Sequence, residues 1–167
     1  MKAVKKVLVV VMCLTVGLVM MTGCGSEANG GAEKEDTSKA TIGYFEAEIK
    51  GCEVKQDDEG HDAVFVTFEF TNNSEENISF DNALYGECFQ NGVELDFADV
   101  YIGEDTTDPA YENAYKDIQP GTTIEVKEAY VLQDKENPIT VKVVSMEEIM
   151  GGESEGYAEK ELQISNE

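Results

Sequence analysis

The stretch AVFVTFEF, residues 63–70, decides the predicted fold because apolar side chains recur in it at alternate positions. One face of this stretch is wholly apolar and consists of Val64, Val66, Phe68 and Phe70. Thr67 and Glu69 fall on the opposite face. A period of two is typical of a β-strand that is buried on one side only. We therefore expect a half-buried strand in an antiparallel sheet.

The same period extends outward from this stretch along most of the chain. Residues 45–49 alternate before it, and the phase shifts after Gly51, which predicts a β-bulge at that glycine. Asn91-Gly92, between two short apolar runs, is a strong signal for a two-residue hairpin. Further strands are expected within residues 78–90, 123–132, 139–144 and 157–164. About seven short strands with almost no helix predict an all-β, antiparallel sandwich of immunoglobulin-like type.

The first 24 residues have the three-part layout of an export signal. Lys2, Lys5 and Lys6 precede an apolar run at residues 7–21, which is shorter than the roughly 20 residues that a membrane span needs. The end of this run, VMMTGC at residues 19–24, resembles the lipobox of bacterial lipoproteins, in which the cysteine carries acyl chains such as palmitate. This resemblance implies that residues 1–23 are a cleaved signal peptide and that Cys24 is the lipid attachment site.

The predicted domain organisation has two parts after the signal. Residues 24–40 are rich in Gly, Ser, Glu and Lys and contain no aromatic residue, which is typical of a flexible, disordered tether. Residues 41–167 have the length of one domain with a sizeable core and should form the sandwich.

Charge excludes several classes of function. The chain has 12 Lys and no Arg against 35 Asp and Glu, a net charge of −23, and residues 41–167 alone carry −24. Such a chain lacks the basic surface that nucleic-acid binding requires. With one His and no recognisable nucleophile motif, we expect neither an enzyme nor a cofactor. The acidic domain should be repelled by anionic lipid and held at the membrane by its acyl chains alone.

Cys52 and Cys88 are the other two cysteines of the exported chain. An even pair outside the cell is compatible with a disulfide. Free cysteines also pack well as small apolar core residues. The sequence is compatible both with a disulfide and with two free thiols.

Acidic residues cluster in the predicted hairpin loop at Asp57, Asp58, Glu59 and Asp62. Carboxylate oxygens are the ligands that Ca²⁺ prefers, so this loop is a candidate calcium site. It does not match the spacing of a calcium-binding loop, and the same residues also suit a solvated, charged surface. His61, beside Asp62, is predicted to be a solvated turn residue.

Residues 97–118 are predicted to be irregular, with a short strand at residues 100–102 and one helical turn at residues 111–116. Long loops on a rigid scaffold often carry function, and Tyr101, Tyr111 and Tyr115 are candidate ligand contacts here. The alternative is that these tyrosines cover one end of the sandwich.

Four segments in fixed order resemble a known family of Gram-positive surface lipoproteins. They are residues 68–74, 89–95, 118–121 and 129–132, and the resemblance spans the lipobox and most of residues 41–145. It implies an immunoglobulin-like domain of unknown function and carries over no catalytic residue.

Together these observations predict a non-enzymatic lipoprotein, anchored by lipid on the extracellular face of the cell membrane, that binds an envelope protein or a secreted ligand. The alternative is a calcium- or solute-binding accessory protein of an envelope transporter. The loop at residues 97–118 is the first surface expected to carry the interaction.

Overall fold

The computed structural model of the protein describes residues 36–101 and 108–164. Within these ranges the chain forms β1 (Lys39–Ile42), β2 (Phe45–Gln56), β3 (Asp62–Asn72), α1 (Phe80–Ala83), β4 (Leu84–Gln90), β5 (Val93–Glu94), α2 (Pro109–Asn113), β6 (Thr122–Val131), β7 (Ile139–Ser145), α3 (Met146–Ile149) and β8 (Ala158–Leu162). The predicted signal peptide, the predicted lipid attachment site Cys24 and residues 25–35 of the predicted tether lie outside the described residues.

The strands form two four-stranded antiparallel sheets. One has the order β1-β2-β3-β6 and the other β5-β4-β7-β8. The chain passes from one sheet to the other after β3, after β5 and after β6, so that neighbours in each sheet come from distant parts of the sequence. The prediction of an antiparallel β-sandwich is confirmed.

The sandwich is closed by the apolar faces of both sheets. From β3, the side chains of Val64, Val66, Phe68 and Phe70 are fully buried, as their alternation predicts. Leu84, Cys88, Val141 and Val143 face them from the second sheet. Burying apolar surface contributes a favourable free energy of about 25 cal/mol per Å². This interior is therefore the main favourable contribution to folding.

The predicted bulge and hairpin are both present. The register of β2 against β3 shifts between Ile49 and Gly51. The ammonium group of Lys160, on β8 of the other sheet, donates to the backbone oxygens of Ile49 and Lys50, each at 3.0 Å. At the hairpin, Asn91 and Gly92 both have positive φ, 54° and 77°, as a turn matching the strand twist requires.

Several features of the structure differ from the sequence prediction. Strand β1 begins at Lys39, two residues before the predicted start of the domain at residue 41. Helix α1 interrupts the region predicted as strand at residues 78–90. Val100 and Tyr101, the described part of the strand expected at 100–102, lie outside the strands. The predicted helical turn begins at Pro109, two residues early, because Asp108 caps it by accepting a hydrogen bond from Ala110 N.

A second, smaller core, which we name the outer core, lies on the outer face of the first sheet. It joins Ala63 and Phe65 of β3 and Ala129 of β6 to Ala98 and Tyr111. The beginning of β3 is therefore buried on both faces, and the prediction of a half-buried strand is wrong there. Phe65 lies on the face predicted to be exposed to solvent, and its large apolar side chain is buried there by the residues of the outer core.

Candidate functional site

A concave surface among the described residues, which we name the end groove, lies where β2 begins and β3 and β7 end. It consists of two adjoining depressions of about 590 and 530 Å³ that share Tyr44, Phe45 and Ile78. The first depression is completed by Asn73, Ser74, Glu75 and Glu76. The second is completed by Asn82, Ala83, Ser145, Met146, Glu147, Met150, Gly151, Gly152 and Glu155.

One wall of the end groove is fixed by Asn72, which is fully buried at the end of β3. Its amide nitrogen donates to the backbone oxygens of Glu76 and Ile118, each at 2.8 Å. Its amide oxygen accepts from Ser74 N at 3.0 Å and from Ser74 Oγ at 2.7 Å. All the hydrogen-bonding capacity of a buried amide is used, which holds the turn that follows β3 in one shape.

The opposite wall is formed by α3 and the segment after it. Ser145 caps α3 by accepting a hydrogen bond of 3.1 Å from Glu148 N. Gly152 N donates to Glu147 O at 2.8 Å and turns the chain back. These bonds leave Met150 projecting beside the groove with 82% of its surface exposed.

Tyr44 lines both depressions. It follows Gly43, whose φ of +58° suits the tight turn between β1 and β2. Tyr44 is 72% exposed. Burying a large, mainly apolar side chain of this kind against a partner is favourable. The end groove thus has prominent apolar side chains on a concave surface, which is the usual character of a binding site.

The rim of the end groove is acidic. The four carboxylates are Glu75, Glu76, Glu147 and Glu155, and among the described residues none of them forms an ion pair. The described residues that line the two depressions include no lysine.

The structure does not bring the candidate calcium ligands together. Asp57 carboxylate oxygens accept hydrogen bonds from Glu59 N at 3.1 Å and from His61 N at 2.8 Å, and contact His61 Nδ1 at 3.1 Å. Burial disfavours its charged form, but these bonds outweigh burial and lower the pKa of Asp57.

Asp58 and Asp62, two of the other candidate acids, have separate partners. Asp58 accepts from Tyr101 N, and Asp62 pairs with Lys135 at 2.6 Å. Across residues 36–101 and 108–164, no three His, Cys, Asp or Glu side chains converge to hold a metal ion. In this structure Asp57 therefore fixes the geometry of the hairpin loop, and Asp58 and Asp62 contact other segments of the chain.

The three candidate tyrosines also separate. Tyr111 is buried against Phe65 in the outer core, and its ring lies 5.8 Å from that of Tyr115, which is half exposed. Tyr101 is 77% exposed, near the hairpin loop at the other end of the sandwich. In the described part of residues 97–118, the segment chiefly covers the first sheet, and the three rings do not form one platform.

Cys52 and Cys88 are both free thiols. Cys88 is fully buried between the sheets, and burial raises its pKa to about 12. Cys52 is half buried at the sandwich edge, where burial also raises its pKa. Neither environment favours a reactive thiolate.

Sequence reasoning missed a buried carboxyl group at Glu128. Glu128 points between the sheets, and Tyr130 Oη donates a 2.6 Å hydrogen bond to Glu128 Oε2. Burial raises the pKa of Glu128 to about 7, although the bond from Tyr130 acts in the opposite direction. The signal was present, because Val126, Glu128 and Tyr130 share the inward face of β6.

The end groove was also missed. Its residues come from three turns that are distant in sequence, so no local pattern joins them. Two features of the sequence hinted at it. Tyr44 follows a glycine, and the two methionines of MEEIMGG, residues 146–152, do not belong to any alternating strand pattern.

The fold and the groove define a β-sandwich domain with a concave, acid-rimmed end. Residues 25–145 match the family described as Domain of unknown function (DUF5067), and the chain belongs to that family. No curated protein matches the sequence.

Two solved structures share the fold. The one described as "Structure of a putative lipoprotein from Staphylococcus aureus subsp. aureus NCTC 8325" has a TM-score of 0.55 at 18% identity, over 80% of this chain and 91% of that one. The "NMR structure of the protein from Enterococcus faecalis" has a TM-score of 0.53 at 16% identity, over 77% and 90%.

None of the helices in residues 36–101 and 108–164 is long and apolar enough to cross a membrane.

Proposed function

We propose that the protein is a non-enzymatic binding module, anchored by lipid at Cys24 to the extracellular face of a Gram-positive cell membrane. The end groove is the observation that carries the binding role, since it combines concavity, exposed apolar side chains and uncompensated charge. The anchor rests on the lipobox at residues 19–24. The Staphylococcus aureus neighbour, whose description reads "putative lipoprotein", supports it.

We further propose that the sandwich is immunoglobulin-like. In that fold, the second strand pairs with the fifth and the third with the sixth across a Greek key. When β1 is counted as an addition to the first edge, β3 pairs with β6 and β4 pairs with β7 in the same manner.

Fractionation of cells tests the anchor. The Cys24→Ala variant should move from the membrane fraction to the medium, whereas Cys13→Ala, a matched change inside the signal peptide, should not. Protease added to intact cells should digest the wild-type domain if it faces outward. Retention of Cys24→Ala in the membrane, or protection from protease until the cells are lysed, would overturn the proposal.

A further inference from the structure

The shape of the end groove suits an extended occupant. Its two depressions adjoin through Tyr44, Phe45 and Ile78, and each has a separate set of further lining residues. A compact small molecule would fill one depression and leave the other open. A polypeptide segment that passes over Phe45 and Ile78 beside Tyr44 would place side chains in both.

The surface of the groove selects the chemistry of that occupant. Apolar contact is available from Phe45, Ile78, Ala83 and Met146, and from the exposed side chains of Tyr44 and Met150. Burying such surface is favourable for an occupant that brings apolar side chains of its own. A purely polar or purely charged ligand would leave this part of the groove unused.

The carboxylates of the rim add a requirement for positive charge. Glu75 and Glu76 flank one depression, and Glu147 and Glu155 flank the other. Elsewhere in the described chain some of the acids have a lysine partner, as Lys127 pairs with Glu53 at 2.8 Å and with Asp108 at 2.6 Å. The rim carboxylates lack such partners among the described residues, and complementary charge on a ligand both speeds association and fixes its register.

Building on the proposed binding role, we propose that the end groove binds a basic, partly apolar polypeptide segment, in which Lys or Arg residues alternate with aliphatic or aromatic ones. The cationic groups meet the four glutamates of the rim, and the apolar side chains pack on Tyr44 and Met150. Tyr44 also offers its ring face to an ammonium or guanidinium group.

The test uses the full lipidated protein in nanodiscs of phosphatidylcholine, a lipid without net charge, and a fluorescent peptide of alternating Lys and Leu as the probe. Binding should be measured by fluorescence anisotropy, with empty nanodiscs as the blank. A peptide of alternating Glu and Leu and one of alternating Lys and Ser test the two requirements separately. Both should bind at least about tenfold more weakly than the Lys and Leu peptide.

Matched variants locate the site. Tyr44→Ala and the pair Glu75→Gln with Glu155→Gln should each weaken binding by about tenfold or more. Tyr101→Ala, equally exposed at the other end of the sandwich, and Glu59→Gln should leave it unchanged. The effect of the glutamate pair should shrink when salt is raised, because salt screens exposed charges.

The outcomes separate the two proposals. If the Lys and Leu peptide fails to bind, or binds Tyr44→Ala and Tyr101→Ala equally well, the inference about the groove is wrong. Competition by spermine that is independent of Tyr44 would likewise point to general attraction by an acidic protein. Each result would leave the anchored module, which cell fractionation tests, unaffected.

Discussion

The hydroxyl group of Tyr130 donates a 2.6 Å hydrogen bond to Glu128 Oε2 between the two sheets. Both side chains come from β6, two residues apart, and both are buried. They face Gly86 on β4, and a methyl group added to Gly86 would overlap both oxygen atoms. A carboxyl group therefore occupies space in the core that a glycine of the opposite sheet leaves open.

Glu128→Gln should stabilise the protein, and by more at high pH than at low pH. The pKa of Glu128 is about 7 in the folded chain against an ordinary value of 4.5, because burial disfavours the charged form. The folded state thus holds this proton more tightly, and the resulting stability is present below pH 4.5 and lost as pH rises through 7. The shift corresponds to about 3 kcal/mol.

The measurement is urea unfolding of wild type and Glu128→Gln from pH 5 to pH 8. The difference in the free energy of unfolding should grow with pH and level off above 7. Glu125→Gln, an exposed glutamate on the same strand, is the matched control and should show no such growth. A difference for Glu128→Gln that is the same at every pH would contradict the buried, protonated state.

Gly86→Ala should destabilise the protein by about 1–3 kcal/mol, the usual cost of overpacking a core. The added methyl group must displace Glu128 or Tyr130, and both are held between the sheets. Gly51→Ala is the control, because its Cβ would meet no atom within 4 Å. Thermal or urea unfolding of both variants gives the comparison.

A double-mutant cycle tests the cause. In the Glu128→Ala background the carboxylate is gone, so Gly86→Ala should cost less than in the wild-type background, by about 1 kcal/mol. Equal costs in the two backgrounds would show that the carboxylate is not what excludes a side chain at Gly86.

The parts of the fold that can be predicted from the sequence are those that depend on local interactions. The strands, the bulge at Gly51 and the turn at Asn91-Gly92 depend on alternation and on positive φ, which are local properties, and they were predicted. The outer core was not, because Phe65 requires cover from a segment more than thirty residues away. Its only local sign is a phenylalanine on the polar face of a strand.

The candidate site was least predictable for the same reason. The hairpin acids attracted attention because they are adjacent in sequence, yet Asp57 is committed to His61 and Asp62 to Lys135. Tyr44 and Met150 are about a hundred residues apart and line one groove only because β2 and β7 bring their ends together. Adjacency in sequence directs attention to the hairpin end of the sandwich, whereas the end groove lies at the opposite end, where β2 begins and β3 ends.

Calcium should not stabilise the protein specifically. The Asp57 carboxylate already accepts hydrogen bonds from the backbone of Glu59 and His61, and a calcium ion would have to displace them. Calcium does screen a chain of net charge −23, so magnesium at equal ionic strength is the necessary control. Thermal melting of chelator-treated protein should shift equally with the two ions at millimolar concentration. A larger shift with calcium would restore the hairpin as a calcium site.

Alkylation should find two free thiols in the mature, unreduced protein. Cys88 is fully buried and Cys52 half buried, so iodoacetamide should react with Cys52 slowly and with Cys88 only after unfolding. Lipidation would block Cys24, and the domain fragment measured by mass spectrometry after denaturation should gain two labels. No label without reductant would show that Cys52 and Cys88 are joined in a disulfide, and a Cys52→Ser variant would then lose stability.

If both thiols are free, Cys52→Ser should change the free energy of unfolding little. Cys88→Ser places a hydroxyl group in an apolar interior and should lower the free energy of unfolding by about 1–3 kcal/mol.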